Sequence, residues 1–100
     1  MIKEQIEISD KIYFGFTPEF IILNILARAK RNGKNSLTIR ELVNQSSLSR
    51  KKVYNTLSKL EAKDYIKKYS DRHDRRKIKI GITPIGYKEI KEAINEYSRL

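Results

Sequence analysis

The stretch Leu48-Ser49-Arg50-Lys51-Lys52-Val53-Tyr54-Asn55-Thr56-Leu57-Ser58-Lys59-Leu60-Glu61 decides how this chain folds. Ser49 is a helix-capping residue type standing just ahead of an apolar set, Val53, Leu57 and Leu60, that recurs at helical spacing. The pattern predicts a helix capped by Ser49 and running to about Ala62, with one narrow inward stripe. Once that stripe turns inward, Ser49, Arg50, Lys51, Tyr54, Asn55 and Ser58 remain on the outer face. Arg pairs bidentately with guanine and Asn with adenine, while Ser and Tyr bond phosphates or base edges. The plainer reading of the same face is a solvated helix surface.

Downstream, Lys63-Asp64 ends this helix. Tyr65 to Tyr69 and Lys77 to Ile82 read as two strands, the second alternating Ile78, Ile80, Ile82 against Lys77, Lys79, Gly81. The linker Ser70-Asp71-Arg72-His73-Asp74-Arg75-Arg76 is polar and turn-prone. Upstream, Thr38-Ile39-Arg40-Glu41 has the capping-box spacing, which predicts a short helix from Ile39 to about Asn44 with Ile39, Leu42 and Val43 inward. Gln45-Ser46-Ser47-Leu48 is a tight connection. Short helix, tight turn, helix and two-stranded hairpin describe a winged helix-turn-helix over residues 36–82. In that fold the short helix braces the next, whose outer face enters a major groove, and the hairpin reaches along the backbone or into the minor groove. The expected fold class is α+β, mainly helical.

The flanks supply two more helices. Thr17-Pro18-Glu19 and Thr83-Pro84 each place a capping hydroxyl before a proline at the first helical position, where its missing N–H costs nothing. The first helix runs from Pro18 to Arg31, ends at Asn32-Gly33 and is apolar nearly all round, so more than one of its sides is covered. The last runs from Pro84 to the C-terminus, with Tyr87, Ile90, Ile94 and Tyr97 at a spacing that suits a helix–helix seam. Segments 17–31 and 84–100 are therefore expected to be dimerisation helices, with Ile21, Ile22, Ile25, Tyr87, Ile90, Ile94 and Tyr97 at the interface. Residues 1–16 read as a short helix, marked by Ile2 and Ile6, leading into an extended segment through Ile12, Phe14 and Phe16.

Of the net +10 charge, +8 lies between Ser49 and Lys79, where twelve Lys/Arg face four acids. Such a field attracts a polyanion and releases its condensed counterions. One hundred residues make a single domain, and no apolar run approaches the length needed to span a bilayer. Without Cys there is no disulfide, thiolate metal site or Cys nucleophile, and the acidic N-terminal segment has no signal-peptide core. The expectation is a cytoplasmic protein without metal or cofactor, stabilised by packing.

The hairpin carries the most specific pattern. Asp74, Arg76, Ile82, Thr83 and Gly86 match the order Asp, one residue, Arg, a strand, then a hydrophobic residue, Thr, two residues and Gly. Here the chain resembles the MarR family of winged-helix transcriptional regulators, and Leu48–Glu61 resembles that family's recognition helix. The likeness covers about residues 36–90. It implies a homodimeric transcription factor that binds double-stranded DNA, with Ser49, Arg50, Lys51, Tyr54, Asn55 and Ser58 in the major groove. Arg72, Asp74, Arg75, Arg76 and Lys77 would form the wing contacts, Asp74 orienting Arg76 into the minor groove. Two departures stand out. Asp64 occupies the helix-ending position that the family usually gives to Gly. Only one helix follows the wing, so dimerisation falls to the first and last helices, and no small-molecule effector carries over with the resemblance.

Other classes use the same residues differently. An RNA-binding winged helix would exploit the same positive surface, with tyrosines stacking on unpaired bases. A protein-interaction winged helix would have no need of so concentrated a charge. A nuclease would need Asp71, His73 and Asp74 as a metal or general-base cluster, but a lone His in a turn lacks the rigid support such chemistry requires. Membrane-surface binding needs a basic helix beside exposed apolar groups, and here the core claims the narrow apolar stripe.

Overall fold

A computed structural model describes residues 17–70, 72–74 and 77–98, with the side chains of residues 97 and 98 also outside the description. The expectations for residues 1–16, Asp71, Arg75, Arg76 and the Tyr97 side chain thus lie outside the described residues. In chain order the elements are α1 (Pro18–Arg31), β1 (Leu37–Thr38), α2 (Ile39–Ser46), α3 (Arg50–Ala62), β2 (Ile66–Ser70), β3 (Ile78–Ile82) and α4 (Pro84–Ser98).

Local chemistry sets the starts. The Thr17 hydroxyl accepts from the Phe20 N–H at 3.3 Å, with Pro18 in the first turn of α1. At α2 the box closes both ways: Thr38 Oγ1 accepts from the Glu41 N–H at 3.1 Å, and Glu41 Oε1 accepts from the Thr38 N–H at 2.9 Å. The Ser49 hydroxyl accepts from the Lys52 N–H at 3.0 Å and opens α3. Two left-handed residues, Ser47 at φ 61° and Asp64 at φ 62°, end α2 and turn the chain from α3 into the sheet. Asp64 adopts the conformation that Gly would take most easily.

The wing belongs to a three-stranded antiparallel sheet of order β1-β3-β2, not to an isolated two-stranded hairpin. Leu37 pairs with Ile80 and Thr38 with Lys79, while Ile66 to Ser70 pair with Ile82 to Ile78 on the other side of β3. The added strand brings the start of α2 to the base of the wing and removes one open edge. The expected alternation along β3 also needs correction. Ile80 and Ile82 are buried, but Ile78 is 38% exposed because it lies toward the wing tip, opposite Ser70, beyond the core.

The core joins every element: Ile22, Leu23, Leu26 and Ala27 of α1, Leu37, Ile39 and Leu42, Val53, Leu57 and Leu60 of α3, Ile66, Ile80, Ile82, and Ile90 of α4. Thr56 is buried as well, its hydroxyl satisfied by the Lys52 carbonyl at 2.7 Å. Val43 is only partly buried. Two expected interface residues change role here. Ile22 is 0% exposed and Ile90 is 1% exposed in the chain's own core, where α1 packs on α4, so neither has surface to offer a second copy. Ile21, Ile25, Tyr87 and Ile94 stay partly exposed. No helix among the described residues is long and apolar enough to cross a membrane.

Candidate nucleic-acid interface

With Val53, Thr56, Leu57 and Leu60 turned into the core, α3 displays one continuous polar face. Ser49, Arg50, Lys51, Tyr54, Asn55 and Ser58 are all exposed on it, Tyr54 at 45%. Both serine hydroxyls are committed. Ser49 caps the helix. Ser58 donates to the Tyr54 carbonyl at 3.2 Å, which leaves its oxygen free to act as an acceptor. Arg50 begins the helix and Asn55 lies further along it, both exposed on a rigid element.

Two cations that sequence reasoning assigned to no role belong beside this face. Lys52 and Lys59 line a hollow of about 400 Å³ with Asn55, Ser58 and the first turn of α1 at Pro18 and Glu19. The signal was present in the sequence, since both fall in the basic stretch, but helical spacing from the apolar stripe did not place them against α1.

At the wing, Arg72 and Lys77 are exposed and Asp74 is half-buried. The Asp74 carbonyl accepts from the Lys77 N–H at 2.9 Å and closes a turn at the tip. The structure thus places Arg72, Asp74 and Lys77 together in the wing's connecting loop. Lys68 on β2 pairs with Glu61 on α3 at 3.3 Å and ties the wing strand to that helix. Among the described residues no group of three His, Cys, Asp or Glu side chains is arranged to hold a metal ion.

Helix α3 is also held at its far end. The Thr83 N–H donates to the Tyr65 carbonyl at 3.0 Å, and the Thr83 hydroxyl donates to the Asp64 carbonyl at 2.6 Å while accepting from the Gly86 N–H at 3.0 Å. A Cβ at Gly86 would lie 2.2 Å from the Tyr65 carbonyl oxygen. The Thr-x-x-Gly pattern therefore clamps the start of α4 against the turn that ends α3.

These features agree with the comparisons to known proteins. The family model for the transcriptional regulator SarA/Rot matches residues 3–94. The chain belongs to the SarA/Rot family of transcriptional regulators. This is a family of regulators, not of enzymes. The fold is similar to MepR of S. aureus, solved as a point mutant bound to an oligodeoxyribonucleotide, at 25% identity and TM-score 0.72, covering 96% of this chain and 62% of that one. It is similar to NadR in complex with 4-hydroxyphenylacetate, at 25% identity and TM-score 0.70, over 83% of this chain and 56% of that one. A mutant of E. coli MarR complexed with operator DNA shares the fold at 18% identity and TM-score 0.67, over 77% and 51% of the two chains. The SarA/Rot chain described here thus spans between about half and three fifths of these relatives. Comparison with the curated proteins gives no match.

Proposed function

We propose that this SarA/Rot-family chain regulates transcription by binding double-stranded DNA as a homodimer, α3 in the major groove and the wing on the backbone or in the minor groove. The observation that carries the reading is the exposure of Ser49, Arg50, Lys51, Tyr54, Asn55 and Ser58 on one face of a helix braced by α2 and flanked by the basic wing. A major groove admits a helix of this kind. Arg50 and Asn55 supply the forked donors and amide that discriminate base edges, and the lysines and wing arginines hold phosphates. Two copies related by a two-fold axis would meet half-sites about 34–36 Å apart. DNA bound to MepR and MarR in their structures supports the same partner here.

A second reading rests on Tyr54 and Tyr69, which are 45% and 50% exposed and would offer stacking faces to unpaired bases. Competition binding among duplex DNA, single strands and duplex RNA of matched length separates the two. The proposal requires a preference for duplex DNA that persists as salt is raised. A preference for single strands or RNA would favour the second.

A further inference from the structure

Side chains alternate along a strand, so Lys67 and Tyr69 of β2 share one face of the sheet with Lys79 and Gly81 of β3. On the opposite face Ile66, Ile80 and Ile82 are buried in the core. Lys67 pairs with Gly81 and Tyr69 with Lys79, which makes Tyr69 and Gly81 diagonal neighbours across the ladder. The tyrosine ring takes up that diagonal. A Cβ at Gly81 would lie 2.9 Å from Tyr69 Cε2 and 3.8 Å from Cδ2, so the ring fills space that any larger residue at 81 would need.

The glycine is closed in from a second side. The same Cβ would lie 3.0 Å from the carbonyl oxygen of Asn35, in the loop between α1 and β1. That loop is itself anchored. The Lys34 N–H donates to the Ala29 carbonyl at 2.8 Å, and the Lys34 ammonium pairs with Glu41 in the first turn of α2. Strand β2, by contrast, is held weakly. It lies at the edge of the sheet, and beyond Ile66 all of its residues are exposed. An aromatic ring laid over a cross-strand glycine is a general means of fixing such a strand.

We propose that Tyr69 and Gly81 are positioning residues for the wing. The ring on the glycine fastens β2 to β3, and the close approach of Asn35 fastens both to the loop after α1. The exposed cations at the tip, Arg72 and Lys77, are thereby held at a fixed angle to α3. A wing free to swing would lose ordering entropy on meeting a duplex, and fewer of its cations would reach phosphates. This consequence rests on the DNA-binding reading; the fastening itself does not. Tyr69 is 50% exposed, so its removal opens no hole in the core.

The test begins on the chain without DNA, with amide hydrogen exchange followed by NMR. Tyr69→Ala should speed exchange across β2 and β3 at least about tenfold and leave α1 and α3 at the parent rates. Tyr69→Phe should behave as the parent, because the ring and not the hydroxyl meets Gly81. Gly81→Ala should also speed exchange, and the double variant should show less than the sum of the two effects, since ring and methyl compete for one space. Parent exchange in Tyr69→Ala overturns the fastening, as does a Tyr69→Phe variant equal to Tyr69→Ala, or full additivity. Duplex binding is then measured across a salt series. Tyr69→Ala should lower affinity about fivefold and flatten the salt dependence although it removes no charge. An unchanged slope would overturn the positioning role, because neither a direct contact by the ring nor a general loss of stability alters the number of phosphates held. A parent that binds no duplex would overturn the DNA-binding reading and the positioning role with it, while the exchange rates still decide the fastening.

Discussion

The hydroxyl of Thr83 donates to the backbone carbonyl of Asp64 at 2.6 Å, joining the residue that precedes α4 to the left-handed residue that follows α3. One side chain thereby satisfies the turn after α3 and the N-terminus of α4 together, since the same oxygen accepts from the Gly86 N–H. Thr83→Val keeps the shape but leaves both backbone groups without that partner, and should cost about 1–3 kcal/mol, whereas Thr83→Ser should cost less. Gly86→Ala forces a Cβ to within 2.2 Å of the Tyr65 carbonyl oxygen and should cost about 3 kcal/mol. Asp64→Gly relieves the left-handed backbone and should stabilise by about 0.5 kcal/mol, while Asp64→Val should destabilise by about 1–2 kcal/mol. Urea denaturation of the set measures all of these. Equal stability of Thr83→Val and the parent would show that the clamp carries no weight.

The capping box at α2 predicts a pH dependence. A hydrogen bond from the Lys34 ammonium holds the Glu41 carboxyl below its ordinary value of 4.5, and the Thr38 backbone N–H adds to the effect. Because the folded-state value is depressed, the unfolded chain takes up the proton first as pH falls. The stabilisation is complete above 4.5 and is lost as pH drops through the folded value. Glu41→Gln removes that dependence, so the stability gap between parent and variant should be widest at neutral pH and close in acid. Thermal melts across the acid range check it, and a gap independent of pH would refute the assignment.

How much of this is legible in the sequence follows from how local each signal is. The starts of α1, α2 and α3 are written in Thr17, Thr38 and Ser49, whose hydroxyls meet backbone groups only three residues on. The turn at Asp64 is legible for the same reason. Strand β1 is not, because two residues carry no period and Leu37 finds Ile80 only once the chain has folded. Interface assignment fails at Ile22 and Ile90 because an apolar stripe states that a face is covered without stating by what. The exposure of Ser49, Arg50, Lys51, Tyr54, Asn55 and Ser58 is legible because Val53, Leu57 and Leu60 turn the helix inward, but the burial of Thr56 and the hollow shared by Lys52, Lys59 and α1 are not, because they depend on how the helices cross.

The homodimer is tested at the apolar surface that remains. Ile25, Tyr87 and Ile94 pack against the core yet stay partly exposed, and Ile21 is half-buried. Sedimentation of the chain at micromolar concentration should give twice the monomer mass. Ile94→Glu should shift it to monomer, because a carboxylate buried at an interface without a partner costs several kcal/mol. Retained far-ultraviolet circular dichroism separates loss of assembly from loss of fold. A parent that sediments only as monomer sinks the dimer.

Base discrimination should rest on α3. Arg50→Ala and Asn55→Ala should each cost about 1–3 kcal/mol on a preferred site, as expected for loss of a bidentate base contact, and less on unrelated duplexes. Lys52→Ala and Lys59→Ala should weaken all duplexes alike and flatten the salt dependence, as phosphate contacts do. Selection of a preferred sequence from a random pool, followed by titration of each variant, provides the comparison. If Arg50 and Asn55 behave like the two lysines, the face holds backbone and reads nothing.

At the wing, an acid amid Arg72, Arg75, Arg76 and Lys77 works against attraction to a polyanion, so its presence needs a structural reason. One is visible: the Asp74 carbonyl closes the turn by accepting from Lys77. Any residue supplies a carbonyl, however, so this bond does not require an acidic side chain. We propose that the carboxylate orients a neighbouring guanidinium, which the resemblance to MarR-type wings would make Arg76; the alternative is that an Asp simply favours the turn and Arg76 touches phosphate like its neighbours. Under that role Asp74→Ala lowers DNA affinity although it makes the wing more positive. Asp74→Asn should recover part of the loss, because the amide oxygen still accepts. Arg76→Lys should also be damaging, since a point charge cannot reproduce a planar fork held in a narrow groove. Binding of the three variants across a salt series distinguishes orientation from charge, because only lost phosphate contacts flatten the slope. Tighter binding by Asp74→Ala, together with an Arg76→Lys variant indistinguishable from the parent, would mean that the wing acts through charge alone.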